Sequence, residues 1–446
     1  MNPSPTRRLI VTFVLIVGLV SLAWWFLISH SFIKVSLGDT SRVQVMDAQT
    51  NKTVAEATAE RWLNLPTGDY LFSYYQGDSI TSMQSRHIGA FSFGSVAATV
   101  GDNQKLSTIL KRPADFVTPL GSGVIYVDKN TRGVSYAQGG TVTDLSSQLG
   151  LTSDPNASLQ LSAQPIYNGV VNIQAVSGGK VCITTTRNIY LLSSPSNIAT
   201  LALYNHGTLN YTTSAYDAQT NKLYAMVPRT SSLYRYDLGQ PDQVPTELKT
   251  SARIMNRITA GNGKLILSYD DVPNTTAAVL SQYDVRYQVT PIIVDADTGK
   301  TLRELSDYRA STHISISGNG HYAAIKRKWA NTITVYDLER NSTRSIPAYD
   351  TGGITWKQDV AYVARAGAVW SYDATSQAAG LTRVGTVNEA ATRLSPTATG
   401  LLVSTNADTT SLLAPAGTAA PAIPPAIIAA PSANPLIYYL PSPETD

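Results

Sequence analysis

Apolar and polar positions follow two regimes along this chain. Near the N-terminus, Leu9 to Ile28 reads LIVTFVLIVGLVSLAWWFLI, twenty residues without a charge. From about residue 32 onward, apolar residues come in short runs, alternating or continuous, broken by Gly, Asn, Asp and Pro. The first pattern predicts a helix: at about 1.5 Å per residue it spans about 30 Å, the thickness of a bilayer's hydrocarbon core. The second predicts short strands joined by tight turns. The expected fold class is therefore all-β, preceded by one transmembrane helix.

The flanks orient that helix. Arg7 and Arg8 precede it, and Trp24, Trp25 and Phe26 lie near its far end. Basic residues stay on the cytoplasmic side and aromatic rings prefer the interface. The expectation is a cytoplasmic stub at 1–8, a membrane segment at 9–30 whose partner is the lipid bilayer through residues 9–28, and an extracytoplasmic remainder. A cleaved signal peptide would carry a shorter apolar region, about 7–15 residues, ending in a small-x-small site. Here the run ends in the bulky WWFLISHSF, which favours an uncleaved anchor. No Cys follows the run, which argues against a lipoprotein.

Residues 32–89 read as a small antiparallel β module. FIKVSL and RVQVMDA are followed by a turn at Asn51-Lys52, then RWLNL, the turn Pro66-Thr67-Gly68-Asp69, and YLFSYY. The stretches VQVMDAQTNKTVAEAT and LPTGDYLFSYYQGD, within Val43–Asp78, resemble the PEGA family of extracytoplasmic β-sandwich modules. The P-E-G-A tetrapeptide itself is absent. The resemblance implies a spacer or binding module and no chemistry.

Through residues 90–414 a strand ending in an aromatic or aliphatic residue and Asp recurs: VIYVD at Asp128, LYRYD at Asp237, IIVD at Asp295, ITVYD at Asp337 and VWSYD at Asp373, with NIYLLS at Tyr190 as a relative without Asp. Asp295, Asp337 and Asp373 are spaced 42 and 36 residues apart. In the clearest unit HISIS, HYAAIKR and TITVYDL are separated by Gly318-Asn319-Gly320 and Ala330-Asn331, with RSIPAY as a fourth strand. A period near 40 residues with about four short strands per unit marks propeller blades. The repeated Asp is expected to cap a tight turn. IIVDADTGKTLREL is similar to a blade of the pyrroloquinoline-quinone type, and ITVYDLERN to the WD40 and YVTN-type propellers; both resemblances imply the fold and no particular activity. The pattern predicts about seven blades, near 90–128, 133–192, 199–238, 247–295, 310–338, 344–373 and 381–414, with six or eight as alternative counts and a tandem of β-sandwiches as the competing architecture. Gln104–Leu110 is the one amphipathic helix candidate after residue 35. The tail, 415–446, opens on a Pro/Ala-rich stretch and ends in PLIYYL, a β-prone strand that closes the ring, docks on a partner's sheet edge, or packs loosely on its own domain.

Composition narrows function more than fold. Charged residues are 15% and the net charge is +3, so no nucleic-acid partner is expected. A lone Cys182, set in VCI, predicts a buried core thiol. The five histidines, His30, His87, His206, His313 and His321, show no i+3 or i+4 pairing suited to a metal. Asp295-x-Asp297-x-Gly299 begins like a calcium loop but lacks the third oxygen ligand and the distal Glu. Asp270-Asp271 are adjacent carboxylates, and Lys326-Arg327-Lys328-Trp329 is the only dense basic run, expected on a solvated outer strand. No residue is thereby assigned a catalytic, cofactor-binding or metal role, and no cofactor is expected. Two functions stay open. One is a non-enzymatic platform in the cell envelope that binds a protein or cell-wall glycan, or serves as an assembly scaffold within a larger envelope machine. The other is a propeller enzyme, a glycan-cleaving hydrolase or a quinone-dependent dehydrogenase, with its site in the central funnel. Carboxylates or Arg around that funnel would favour the enzyme; Ser, Thr and Gly would favour the platform.

Overall fold

The structure is a computed structural model. It describes residues 14–21, 24, 30–50, 52–90, 92–98, 106–112, 114–151, 169–201, 213–226, 232–250, 257–268, 291–305, 311–327, 332–347, 351–365, 367–376, 380–386, 391–397, 400–405, 410–413 and 436–441. The chain divides into two compact units, Met1–Gly101 with Ala378–Arg383, and the rest.

In the first unit, residues 14–21 and 24 are helical, with Val14, Leu15, Leu19 and Val20 exposed. No helix among the described residues is long and apolar enough to cross a membrane. Most of the span expected at 9–28 lies outside the described residues. Strands β1 (His30–Ser36), β2 (Arg42–Asp47), β3 (Thr53–Ala57), β4 (Arg61–Pro66), β5 (Gly68–Gln76), β6 (Ser79–Ile88) and β7 (Phe93–Ala97) follow. One sheet has the order β4-β1-β7, with β7 parallel to β1; β2 pairs with β3 and β5, and β5 with β6. The buried faces share one core: Ile33, Val35, Leu63 and Leu65 from the first sheet meet Val43, Val45, Phe72 and Tyr74 from the second. The alternation of FIKVS and RWLNL is what makes this a two-layer sandwich, since each strand has one inward face. Residues 93–97, placed by the sequence reading in the repeat region, pair here instead.

The second unit begins with β8 (Leu106–Lys111), a strand where the sequence suggests a helix at Gln104–Leu110. The apolar period there is too short to favour a helix, and sheet pairing decides it. Four strands then form one sheet: β9 (Ala114–Leu120), β10 (Gly123–Asp128), β11 (Val134–Gln138) and β12 (Thr141–Asp144). The same antiparallel meander is made by β13 (Val170–Val176), β14 (Lys180–Thr185), β15 (Ile189–Ser194) and β16 (Asn197–Thr200). Next come β17 (Thr213–Asp217), β18 (Lys222–Met226), β19 (Ser232–Asp237) and β20 (Thr246–Lys249), then β21 (Arg257–Gly261), β22 (Lys264–Ser268), β23 (Ile292–Asp295) and β24 (Thr301–Glu304). A further sheet holds β25 (Ser311–Ile316), β26 (Tyr322–Arg327), β27 (Thr332–Asp337) and β28 (Ser342–Pro347). After it, β29 (Thr351–Lys357), β30 (Val360–Arg365) and β31 (Ala368–Asp373) pair in order. Strand β32 (Gly380–Thr386) is divided between the units: Gly380–Thr382 pairs with Ser82–Gln84 in the first, while Val384 packs in the core of the second.

The last sheet combines both ends of the second unit. It contains β33 (Ala391–Pro396), β34 (Gly400–Thr405), β35 (Thr410–Leu413), β36 (Leu436–Pro441) and β8. Strand β36 runs antiparallel to β34 and β8 and parallel to β35. The terminal strand therefore pairs within its own chain. A parallel neighbour needs a long crossover, and residues 414–435 supply that length, though they lie outside the described residues.

Two observations make this arrangement propeller-like. First, each sheet's opening strand packs on that of the next, from β9 through β13, β17, β21, β25 and β29 to β33, and β34 returns to β9. Second, each apolar cluster is shared by consecutive sheets. Leu265 and Leu267 pack on Tyr224, Met226 and Leu233, while Ile266 between them packs on Ile314, Ile316 and Ile325. Sheets buried on both faces read as continuous apolar runs such as KLILS, which is why strict alternation is absent here. A tandem of β-sandwiches, each with a private core, does not match this sharing.

The recurrent Asp is a turn cap, as the sequence suggests. Asp128, Asp295 and Asp337 each accept backbone N–H bonds from residues two and three positions on, at 2.8 to 3.1 Å. At Asp295 the hydroxyl of Thr298 adds a further bond, and these bonds hold the carboxyl below its usual range. One marker needs correction. VIYVD is the second strand of its sheet, whereas the other four Asp-bearing strands are the third. The Asp reports a hairpin following a strand, and it carries no information about which hairpin.

Candidate functional site in the central channel

The opening strands of successive sheets surround a channel of about 1370 Å³. Its wall mixes apolar groups, such as Ile173, Ile316 and Leu394, with amides and hydroxyls: Asn172 and Gln174 from β13, Thr259 from β21, Ser315 from β25, Thr355 from β29 and Ser395 from β33. Lys180 and Arg393 are the cations and Asp359 is the one carboxylate among the described residues lining it. Several polar groups are already tied to the wall. Asn172 donates to the Ser214 carbonyl at 2.9 Å, and the Trp356 indole N–H donates to Ser315 Oγ at 3.1 Å. Trp356 also stacks on Tyr322, ring centroids 6.3 Å apart.

At one end of the channel the turns that follow the opening strands form a belt of cross-sheet hydrogen bonds. Ser177 donates its N–H to the Tyr216 hydroxyl at 3.0 Å and its hydroxyl to Asn221 at 2.6 Å. Asp217 is fully buried; its carboxylate accepts from Gln219 in its own turn and from the N–H groups of Asn262 and Gly263 in the next sheet, at 2.7 to 3.0 Å. Asn262 donates to the Asn319 carbonyl at 2.9 Å, and Lys264 Nζ to the Gly320 carbonyl at 3.0 Å. Asn319 donates to Asp359 Oδ2 at 2.5 Å. The turns approach so closely that glycine is required: a Cβ on Gly261 would lie 2.1 Å from the Ser317 carbonyl oxygen. Gly320, at φ +71°, would place one 2.6 Å from the Gly261 carbonyl oxygen.

Toward the start of the same strands lies a basic cluster. His313 faces its cross-strand partner Lys326 and lies beside Arg257. The Ile354 carbonyl, 2.9 Å from Nε2, can only accept, so Nε2 carries the proton and Nδ1 receives the Arg257 guanidinium at 3.3 Å. Burial, with the Arg257, Lys326 and Arg393 cations, pushes the imidazole down to about 3. His313 is therefore neutral at physiological pH. Arg393 lies over the Phe116 ring at 3.9 Å and donates to the Asp115 carbonyl at 3.2 Å. Burial lowers it to about 10, and Asp115 opposes that shift, so it remains charged.

The depressed His313 has a defined consequence. Its folded pKa lies below the ordinary 6.5. Below pH 6.5 an unfolded chain takes up a proton that the folded chain refuses, so stability falls as pH drops from 6.5 toward 3, and this group contributes no slope above 6.5. The slope is at most about 1.4 kcal/mol per pH unit. Chemical denaturation across about pH 4–8 is expected to show a shallower acid loss in His313→Gln than in the wild type. Identical profiles would refute the assignment.

The other candidates resolve as follows. Cys182 is fully buried and its thiol is pushed up to about 12 by burial. Ellman's reagent is expected to leave it unmodified in the native protein at about pH 8 and to titrate one thiol in about 6 M guanidinium. Rapid native modification would contradict that burial. Asp297 bridges sheets, pairing with Lys222 and Arg235 at 2.8 Å each. His87 pairs with Asp69 at 2.8 Å, and His321 lies 3.4 Å from Glu339. No cluster of three metal-ligating side chains occurs among the described residues. Asp270-Asp271, His206 and Lys328-Trp329 lie outside the described residues. The described part of the basic run, Lys326-Arg327, is not on an outer strand: β26 is interior, hydrogen-bonded to β25 and β27, with Lys326 half-buried and Arg327 exposed. A local charge run cannot reveal strand position within a sheet.

The sequence reading misses the belt and the His313–Arg257–Arg393 cluster. A signal for the belt exists. Asp217, Asn262, Asn319 and Asp359 each sit at the turn after an opening strand, spaced 45, 57 and 40 residues apart.

No family model and no curated protein matches this chain. Among solved structures it is similar to a streptogramin B lyase, at 12% identity and TM-score 0.44, covering 67% of this chain and 93% of that one. A chain of the mitotic checkpoint complex gives 13% identity and TM-score 0.47, covering 80% and 99%. The Pan2 WD40 domain of Neurospora crassa gives 10% and 0.44, covering 76% and 90%. At these values the similarities carry no argument, and the propeller-like reading rests on the shared cores and the ring of strand contacts.

Proposed function

We propose that this chain is a single-pass, membrane-anchored propeller of seven blades, held outside the cytoplasm, that binds a protein or cell-envelope glycan in its central channel. The observation that carries the reading is the channel wall. Amides and hydroxyls from successive sheets offer hydrogen bonds to a polar ligand, and Arg393 and Lys180 favour one that carries negative charge. A glycoside hydrolase needs two carboxyl groups about 5–10 Å apart. The described lining supplies Asp359 alone, itself bonded to Asn319, which supports binding over hydrolysis. Seven opening strands, β9 through β33, support the blade number. The apolar run of residues 9–28, with Arg7 and Arg8 before it, supports the anchor and its orientation. The two-layer module would then act as a spacer of the PEGA-like kind.

A photo-crosslinking amino acid placed at Gln219 or Gln358, on the channel lining, and at Asp242, on a turn outside it, tests this in intact cells. Adducts are expected at the two channel positions and not at Asp242, and their sensitivity to protease or to glycan hydrolases identifies the ligand class. Equal labelling at all three positions, or none in the channel, would refute the assignment.

A further inference from the structure

The outer face of the β4-β1-β7 sheet carries aromatic rings that no part of the described module covers. Ile33, Val35, Leu63, Leu65 and Val96 point into the core, so by alternation Phe32, Lys34, Trp62, Asn64, Phe93 and Ser95 point out. Trp62 is 55% exposed and Phe93 71%. Phe32 stacks on Phe93 with ring centroids 5.7 Å apart, and the register sets Phe32 opposite Asn64 and Lys34 opposite Trp62. Trp62 is thus the diagonal neighbour of Phe32, within reach of a long side chain. Lys34 is the one Lys or Arg of this face and lies 3.7 Å from Glu60, with His30 on the same face of β1, so the patch is aromatic with little net charge.

We propose that this face beds in the headgroup region of the bilayer that anchors the chain, with Phe32, Trp62 and Phe93 as interfacial anchors. This rests on the membrane-anchor reading above. The chain enters the sheet at His30, directly after the apolar run ends at Ile28. At about 3.4 Å per residue, Phe32 stays within about 14 Å of Ile28. The headgroup layer on each side of a bilayer is about 5–8 Å deep. A sheet tethered so closely has its aromatic face within reach of the zone where Trp is favoured, apolar body inward and N–H wet, with the Phe32 and Phe93 rings adding apolar area beside it. Bedding would also fix the orientation of the sandwich above the membrane.

The test uses the full chain in phosphatidylcholine–phosphatidylglycerol vesicles, with nitroxide labels on Trp62→Cys, Phe93→Cys and Val54→Cys. The native Cys182 is buried and does not compete, and Val54, exposed on β3 of the other sheet, is the aqueous control. Labels at 62 and 93 are expected to show a severalfold higher ratio of oxygen to nickel-chelate accessibility than the label at 54. If the chain co-floats with vesicles but 62 and 93 are as wet as 54, this inference fails and the anchor stands. Dipolar broadening between labels would assign the face to a second copy and overturn the inference. A chain that does not co-float at all would overturn the anchor and this inference together.

Discussion

A chain ending at Pro435 is expected to unfold at a temperature at least about 10 °C below that of the full chain, with a broadened transition, whereas a chain ending at Pro441 should unfold like the full one. Strand β36, with β35, joins the two ends of the second unit by pairing with β8. It sets Leu401 opposite Leu440 and Leu402 opposite Tyr439 on one side, and Ile437 opposite Leu110 on the other. Removing it takes the strand with the longer register on β8 and its pairing with β34, so the β35–β8 pairing and the contact of β34 with β9 are left to hold the ring with fewer ladder bonds. Each kcal/mol lost shifts the midpoint of a large domain by about 2–4 °C, so a loss of several kcal/mol gives the expected drop. Far-UV circular dichroism melts of the two truncations check it. Equal melting of both truncations would mean that β36 pairs without contributing to closure.

Asp217→Ala is expected to destabilise the fold by about 3–5 kcal/mol, because it leaves backbone donors in two adjacent sheets without their acceptor. The carboxylate is fully buried and receives Gln219 and Asn262 on Oδ1 and Gly263 on Oδ2. Asp217→Asn distinguishes a need for charge and acceptors from a need for shape. An amide can satisfy the two donors on one oxygen, but its NH₂ would then face the Gly263 N–H, donor against donor. Asn is therefore expected to recover little of the loss. Urea unfolding of the two variants, compared at constant m-value, measures both. An Asn variant as stable as the wild type would show that neither the charge nor the bond from Gly263 contributes.

The strands and turns of this protein are legible in its sequence to a useful degree. HISIS, HYAAIKR and TITVYDL fall within or around β25, β26 and β27, and the Asp at the close of ITVYD caps the turn it is expected to cap. Turn chemistry is local: an Asp side chain reaches its own backbone two and three residues on whatever the rest of the chain does. The phase of the repeat is less legible, because the Asp-bearing strand is second in the sheet of VIYVD and third in the others. Where the sequence suggests a helix at Gln104–Leu110, residues 106–110 form a strand, because the pairing partners of β8, strands β35 and β36, lie some 300 residues later in the chain.

Local hydrophobic period and turn residues, which depend on neighbours in sequence, determined on their own that the chain is built of short strands in units of about 40 residues behind an apolar N-terminal run. Tertiary structure alone decided which faces share a core, that the C-terminal strand pairs with β8, that Asp217 and Asn262 bond across sheets, and that His313 sits neutral beside Arg257. The physical reason is common to all four. Burial, pairing and cross-sheet hydrogen bonds are properties of groups brought together by closing a ring, and no window of sequence contains both partners.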